Sequence, residues 1–212
     1  MKLKSILLQE IKIPENKMEE LNSETKRLIN NIINLEWEMF KNVKASEPNP
    51  CQENEKTFRL MRWMGYSVMP NELLKEILIN VNQATLDNRN LMTEKYARMS
   101  NQIPVINNDP LIDECVQIEK EMMEEVKKEY PLTFSGQNPG FENYMKAELE
   151  TYSESAIKLY YTFLNNVKMG GRNVIKARYN NLFRKLGYES LADKESKEKQ
   201  KEFWSKNECK GC

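Results

Sequence analysis

Residues 22–43 read NSETKRLINNIINLEWEMFKNV. A capping pair, Asn22-Ser23, precedes apolar residues that return every three or four positions: Leu28, Ile29, Ile32, Ile33, Met39, Phe40 and Val43. That spacing lays one apolar stripe along an α-helix. Stepping about 100° per residue around the helix puts Glu36 near the centre of the stripe, while Glu38 points nearly the opposite way. The segment therefore predicts a helix and, with it, a carboxylate on the face that should be dry.

The same period extends through the chain, and no segment alternates in twos for long. The N-terminal segment runs to about residue 12. After a loop with Pro48 and Pro50, a helix carrying Phe58, Leu60, Met61 and Met64 ends before Pro70. Asn71 is read as the cap of a helix whose face is Leu73, Leu74, Ile77, Leu78, Val81 and Ala84, with no charge on it. A short helix from Leu91 to Met99 follows, and then a breaker, NQIPVINNDP, at 101–110. Pro110 suits the first position of a helix running to about Lys128. Turn residues fill 131–140, where Leu132 and Phe134 are placed to pack inward or line a site. One long helix is read from Phe141 to Lys168, stopped by Gly170-Gly171, and another from Asn173 to Leu186, ended by Gly187. A charged helix, Asp193 to Lys206, has Phe203 and Trp204 as its large apolar side chains.

These elements predict an all-α fold: one bundle-like domain of about seven to nine helices over residues 1–192, with 193–212 a charged helix and CxxC tail. Composition agrees, because Lys, Glu, Leu and Met, all helix formers, are plentiful.

Lys+Arg and Asp+Glu number 32 each, so the chain has no net charge to steer it toward nucleic acid or an anionic membrane. The N-terminal apolar run SILL is too short for a signal peptide, and no stretch approaches the roughly 18 apolar residues of a membrane span. The expectation is a soluble, cytoplasmic protein whose four cysteines form no structural disulfides. There is no histidine. Ser-His-Asp and Cys-His catalysis, histidine-ligated zinc and the di-iron motif of ferritin-like bundles are thereby excluded.

The Glu36 anomaly recurs. Glu119 falls in the middle of the stripe Leu111, Ile112, Cys115, Val116, Met122, Met123, Val126. Glu148 lies on the shoulder of Phe141, Met145, Leu149, Tyr152, Ala156, Leu159, Phe163. Lys95 sits among Leu91, Met92, Tyr96 and Met99, and Arg178 beside Ile175, Tyr179, Leu182 and Leu186. An unpaired buried carboxylate costs several kcal/mol or changes protonation state. Three acids and two bases on inward faces are therefore expected to meet.

They can meet as a salt-bridge network that fixes helix register, or as a polar pocket between helices. In the pocket reading Glu148, Arg178, Tyr96 and Tyr152 bind a small carboxylate or zwitterion. Glu36 or Glu119 is the candidate general base, and Lys95 a base, amine nucleophile or anion partner. Three glutamates also suit a hard metal ion, although neither an Asp-rich loop nor a Glu-x-x-His pair is present. Tyr144, Tyr152, Tyr160 and Tyr161 share one segment; such stripes are usually core with the hydroxyl satisfied at the edge. Cys209 and Cys212 form a terminal CxxC, weak metal ligands by themselves and otherwise a thiol or sulfur-transfer device. Gly170-Gly171 opens a helix but matches no phosphate-binding pattern. A non-catalytic interaction domain or homo-oligomer, using the Lys/Glu-rich last helix, is the other reading. Which cofactor, if any, the protein uses is not specified by these residues.

The strings LEWEMF (35–40), NRNLMTEKYARM (88–99) and ENYMKAELETYSESAI (142–157) resemble a bacterial family, domain of unknown function 4125, over nearly the whole chain. The resemblance implies a bacterial origin and carries no function with it. It places Glu36, Lys95 and Tyr96 inside the family's motifs.

Overall fold

Asparagine starts much of this structure, a computed structural model describing residues 21–43, 54–136 and 140–208, with side chains described to 203. Among the described residues the chain forms nine helices and no strand. We number them α1 (Ser23–Lys41), α2 (Glu55–Tyr66), α3 (Asn71–Leu86), α4 (Leu91–Met99), α5 (Pro110–Glu129), α6 (Phe141–Leu149), α7 (Glu154–Met169), α8 (Val174–Lys185) and α9 (Leu191–Glu208). The side chains of Asn22, Asn54, Asn90 and Asn173 each accept a backbone N–H of the first turn of α1, α2, α4 and α8. Asp109 does the same for α5, with Pro110 at its first turn. A short polar side chain satisfies a donor that no helical carbonyl can reach.

Helix α1 packs on α2, α3 and α4, and α5 packs on α6, α7 and α8. The two sets meet through α3 against α7, α2 against α8 and α4 against α6, while α9 lies on α8. One apolar core runs through both sets, from Leu28 and Ile32 through Leu73 and Ile77 to Ile157, Leu164 and Leu182. No helix among the described residues is long and apolar enough to cross a membrane.

Two expectations need correction. Asn71 does not cap α3: Pro70 holds the cap position, without a side-chain hydrogen bond. The Asn71 amide instead joins two helix starts, accepting from Thr25 Oγ1 at 2.7 Å and donating to Glu24 at 3.1 Å. The long helix expected over 141–168 is two helices, α6 and α7. Ser153 adopts an extended conformation and its hydroxyl accepts from Ala156 N, which starts α7 afresh. Glu150 is drawn inward at the break, where Arg98 Nε (2.5 Å), Arg98 Nη2 (3.0 Å) and Ile106 N (3.3 Å) donate to it. The break resets the helical phase. Leu159, assigned to the buried stripe on the assumption of one helix, is therefore exposed.

The start of α9 is anchored. Leu191, Lys194 and Glu195 are buried, and the Glu195 carboxylate accepts from Leu132 N, Thr133 N and Thr133 Oγ1 at 2.8–3.2 Å. This tie holds the 131–136 turn over α8, where Phe134 meets Tyr179 edge-on with ring centroids 4.7 Å apart. The N-terminal segment and the 48–50 loop lie outside the described residues.

Candidate functional site

Every charge expected on a dry face is buried: Glu36, Lys95, Glu119, Glu148 and Arg178 are each at most 6% exposed. They form two clusters, and each contains a Glu–Arg–Tyr triad drawn from three helix positions.

In the first triad, Arg62 of α2 reaches Glu36 of α1. Its Nε donates to Glu36 Oε2 at 2.7 Å, and its Nη2 donates to Glu36 Oε1 and to the Tyr66 hydroxyl. Tyr66 in turn donates to Glu36 Oε1 at 2.5 Å. The same Nη2 reaches Glu148 Oε1 of α6 at 2.6 Å, and Glu148 Oε2 faces the Lys95 ammonium of α4 in an ion pair. Lys95 also sits 3.6 Å from the centroid of the Tyr144 ring, a cation–π contact. The second triad repeats the pattern. Arg178 of α8 donates from Nη1 to Glu119 Oε2 of α5 at 2.8 Å and from Nη2 to the Tyr160 hydroxyl of α7 at 2.7 Å, while Tyr160 donates to Glu119 Oε1.

These pairings hold the charges in place. Burial by itself would raise the pKa of Glu148, but Arg62 and then Lys95 outweigh it and hold the carboxyl far below the usual carboxylate range. Burial disfavours the Lys95 charge, yet Glu148 more than restores it and the pKa rises. Arg62 and Arg178 are likewise buried and held charged, Arg62 by Glu148 and Glu36, Arg178 by Glu119. The phenols of Tyr66, Tyr152 and Tyr160 are pushed up by burial and stay protonated.

A cavity of about 380 Å³ lies at the seam between the two helix sets. Arg62, Glu148 and Arg178 border it, as do Tyr66, Tyr144, Tyr152, Tyr160 and Tyr179. Six methionines, Met61, Met64, Met69, Met99, Met123 and Met145, supply much of the apolar wall. Gly65 of α2 is part of the wall too, and a Cβ added there would meet nothing within 4 Å. Glycine inside a helix costs roughly 0.5–1 kcal/mol relative to alanine, and here it leaves space in the cavity.

Of the residues expected at a site, Glu148, Arg178 and Tyr152 border the cavity. Glu36, Lys95 and Glu119 stand behind it, each paired to a residue that does. Tyr96 packs its ring on Phe40, with centroids 5.7 Å apart, and is not part of the cavity wall. The three glutamates do not gather: among the described residues no three acidic or thiol side chains come together to hold a metal ion. Cys115 is a buried free thiol whose pKa is pushed up to about 12 by burial and then by Glu119. Cys209, Cys212 and Cys51 lie outside the described residues.

Arg62, the hub of the first cluster, was missed in the sequence, although Phe58, Arg62 and Tyr66 follow one another at four-residue intervals along one face of α2. Arg98 and Glu150 were hidden by the helix break, which has no glycine or proline to mark it.

The fold and site thus define a helical bundle with a partly open cavity whose walls are tyrosine, methionine and paired charge. The chain belongs to the family described as Protein of unknown function (DUF4125), whose model matches residues 26–196. No curated protein and no solved structure matches it significantly.

Proposed function

We propose that this protein binds a small organic molecule in the seam cavity, with Arg62, Glu148 and Arg178 addressing its polar end and methionine and tyrosine side chains enclosing the rest. One observation carries the reading: the two buried Glu–Arg–Tyr triads, from opposite helix sets, present Arg and Tyr to the same cavity. A network needed only for helix register has no reason to border open volume. Pockets for small ligands are mostly apolar with a few fixed polar groups, as here.

Glu36 and Glu119 act as positioning residues in this proposal. Each uses both carboxylate oxygens to hold an arginine and a tyrosine, which fixes the donors that the ligand meets. Lys95 similarly fixes Glu148. Any chemistry on the ligand falls to the groups at the wall, foremost Glu148 and the tyrosine hydroxyls. The expected bacterial origin and cytoplasmic location belong to the same proposal.

The test uses the protein isolated from cells of its source organism. Denaturing extraction and mass spectrometry should release one small molecule at about one equivalent from the wild type. None should be released from Gly65→Phe, whose side chain would fill the cavity. Equal recovery from both proteins, with Gly65→Phe natively folded by circular dichroism, would contradict the proposal.

A further inference from the structure

The hydrogen-bonding capacity left over at the cavity wall is one-sided. In each triad the tyrosine O–H donates to a glutamate and its oxygen accepts from an arginine. Glu148, the carboxylate at the wall, is taken on one oxygen by Arg62 and on the other by Lys95. Among the described residues Glu148 Oε2 makes no hydrogen bond and is answered only by the Lys95 ion pair; apart from it, what remains are donors. The Nε–H of Arg178 is buried and nothing among the described residues accepts from it. Arg62 Nη1 has only a long contact, 3.5 Å, to the Tyr144 hydroxyl, which leaves the Tyr144 O–H free to donate. The hydroxyls of Tyr152 and Tyr179 make no hydrogen bond among the described residues, and burial keeps both protonated. A buried donor without an acceptor costs about 1–3 kcal/mol, so a ligand offering oxygen acceptors removes a penalty that an apolar ligand leaves in place.

The charges are balanced. Glu36, Glu148 and Glu119 match Arg62, Lys95 and Arg178 one for one, and every one of the six is buried. An anionic ligand would leave a net buried charge, and desolvation makes that costly. The carboxylate expected from the sequence is therefore disfavoured. A zwitterion would bring a third cation to Glu148, whose charge Arg62 and Lys95 already neutralise.

From this we infer that the cavity takes an uncharged, largely apolar molecule bearing carbonyl-type oxygen acceptors, such as an aryl ketone, quinone, ester or amide. Tyr152, Tyr179 and Arg178 donate to the oxygens and the methionines conform to the apolar body. Methionine is flexible and polarisable, and it suits a wall that must fit a flat or irregular apolar surface. This inference deepens the ligand-binding proposal and rests on it.

The test is a titration of the full chain with three probes of one shape: 2-acetylnaphthalene, 2-ethylnaphthalene and 2-naphthoate. Isothermal calorimetry gives each affinity. The neutral ketone is expected to bind about tenfold more tightly than either other probe. In Tyr152→Phe and Tyr179→Phe, the ketone's advantage over the ethyl compound should shrink roughly threefold per lost hydrogen bond, with the ethyl compound's own affinity unchanged. Tightest binding by the naphthoate would overturn the argument from charge balance. Equal binding of all three would overturn the argument from donors. In both cases the cavity would remain a binding site. If no probe binds, both this inference and the ligand-binding proposal fail.

Discussion

At the scale of single residues, the buried charges meet partners rather than water. Glu148 answers two cations, and its ionisation is linked to folding. Its pKa in the folded protein lies below the unfolded value of about 4.3. Its stabilising contribution is thus complete above that value and lost as pH falls through the folded pKa. Lys95 has the opposite sign: its pKa is raised, so its contribution is complete below about 10.4 and lost as pH rises through the folded value. Urea midpoints should change little between about pH 5 and pH 10 on account of this pair and fall on the acid side. In the double variant Glu148→Met/Lys95→Met, which removes the pair together and leaves Arg62 with Glu36, the acid fall should be shallower. The same acid slope in both proteins would show that the pair is not what titrates.

Individual residues also show what can be read without a structure. Glu36, Lys95, Glu119 and Arg178 were legible as buried because each interrupts an apolar stripe whose phase is fixed within one unbroken helix, and Glu148 because Phe141, Met145 and Leu149 precede the break. Which acid meets which base was not legible, because helix periodicity carries no information about the neighbour. Glu36 and Glu119 never meet each other's partners; they serve separate triads on separate helix sets. Tyr66 and Tyr160 look like ordinary core aromatics in sequence, and only their hydroxyl partners distinguish them.

At the scale of elements, the break between α6 and α7 is what shapes the site. The four residues from Glu150 to Ser153 turn the chain, so that Glu148 and Tyr152 border the cavity on one side and α7 delivers Tyr160 on another. Sequence reading runs through this break because Glu, Thr, Tyr and Ser do not forbid helix. The deciding contacts are tertiary: Arg98 and Ile106 N on Glu150, and Asn80 Nδ2 on the Thr151 carbonyl at 3.0 Å. Within the break, Ser153 has the local role of capping α7. Ser153→Ala should destabilise the protein by about 0.5–2 kcal/mol in urea denaturation. A variant as stable as the wild type would mean that α7 starts without its cap. The other helix starts were easier to foresee: Asn22 and Pro110 stand at or beside the positions expected of them, whereas Asn71 was given a cap role that its tie to Thr25 replaces.

At the scale of the whole molecule, two sets of helices close on each other and leave their seam partly open, with each set contributing one Glu–Arg–Tyr triad. The all-α class, the helix order and the absence of a spanning helix among the described residues follow from periodicity and composition. The cavity does not, since it depends on how two sets of helices fail to fill the space between them. Its methionines permit a direct measurement. In protein labelled with ¹³C at the methionine methyl groups, titration with 2-acetylnaphthalene should shift the resonances of Met61, Met64, Met69, Met99, Met123 and Met145, which border the cavity. Met39, Met92, Met122 and Met169 do not border it, and their resonances should stay in place. Shifts confined to the first group would locate the ligand at the seam between the triads. Shifts confined to the second group, or none at saturating probe, would contradict the claim that the buried charges of this protein frame a binding site.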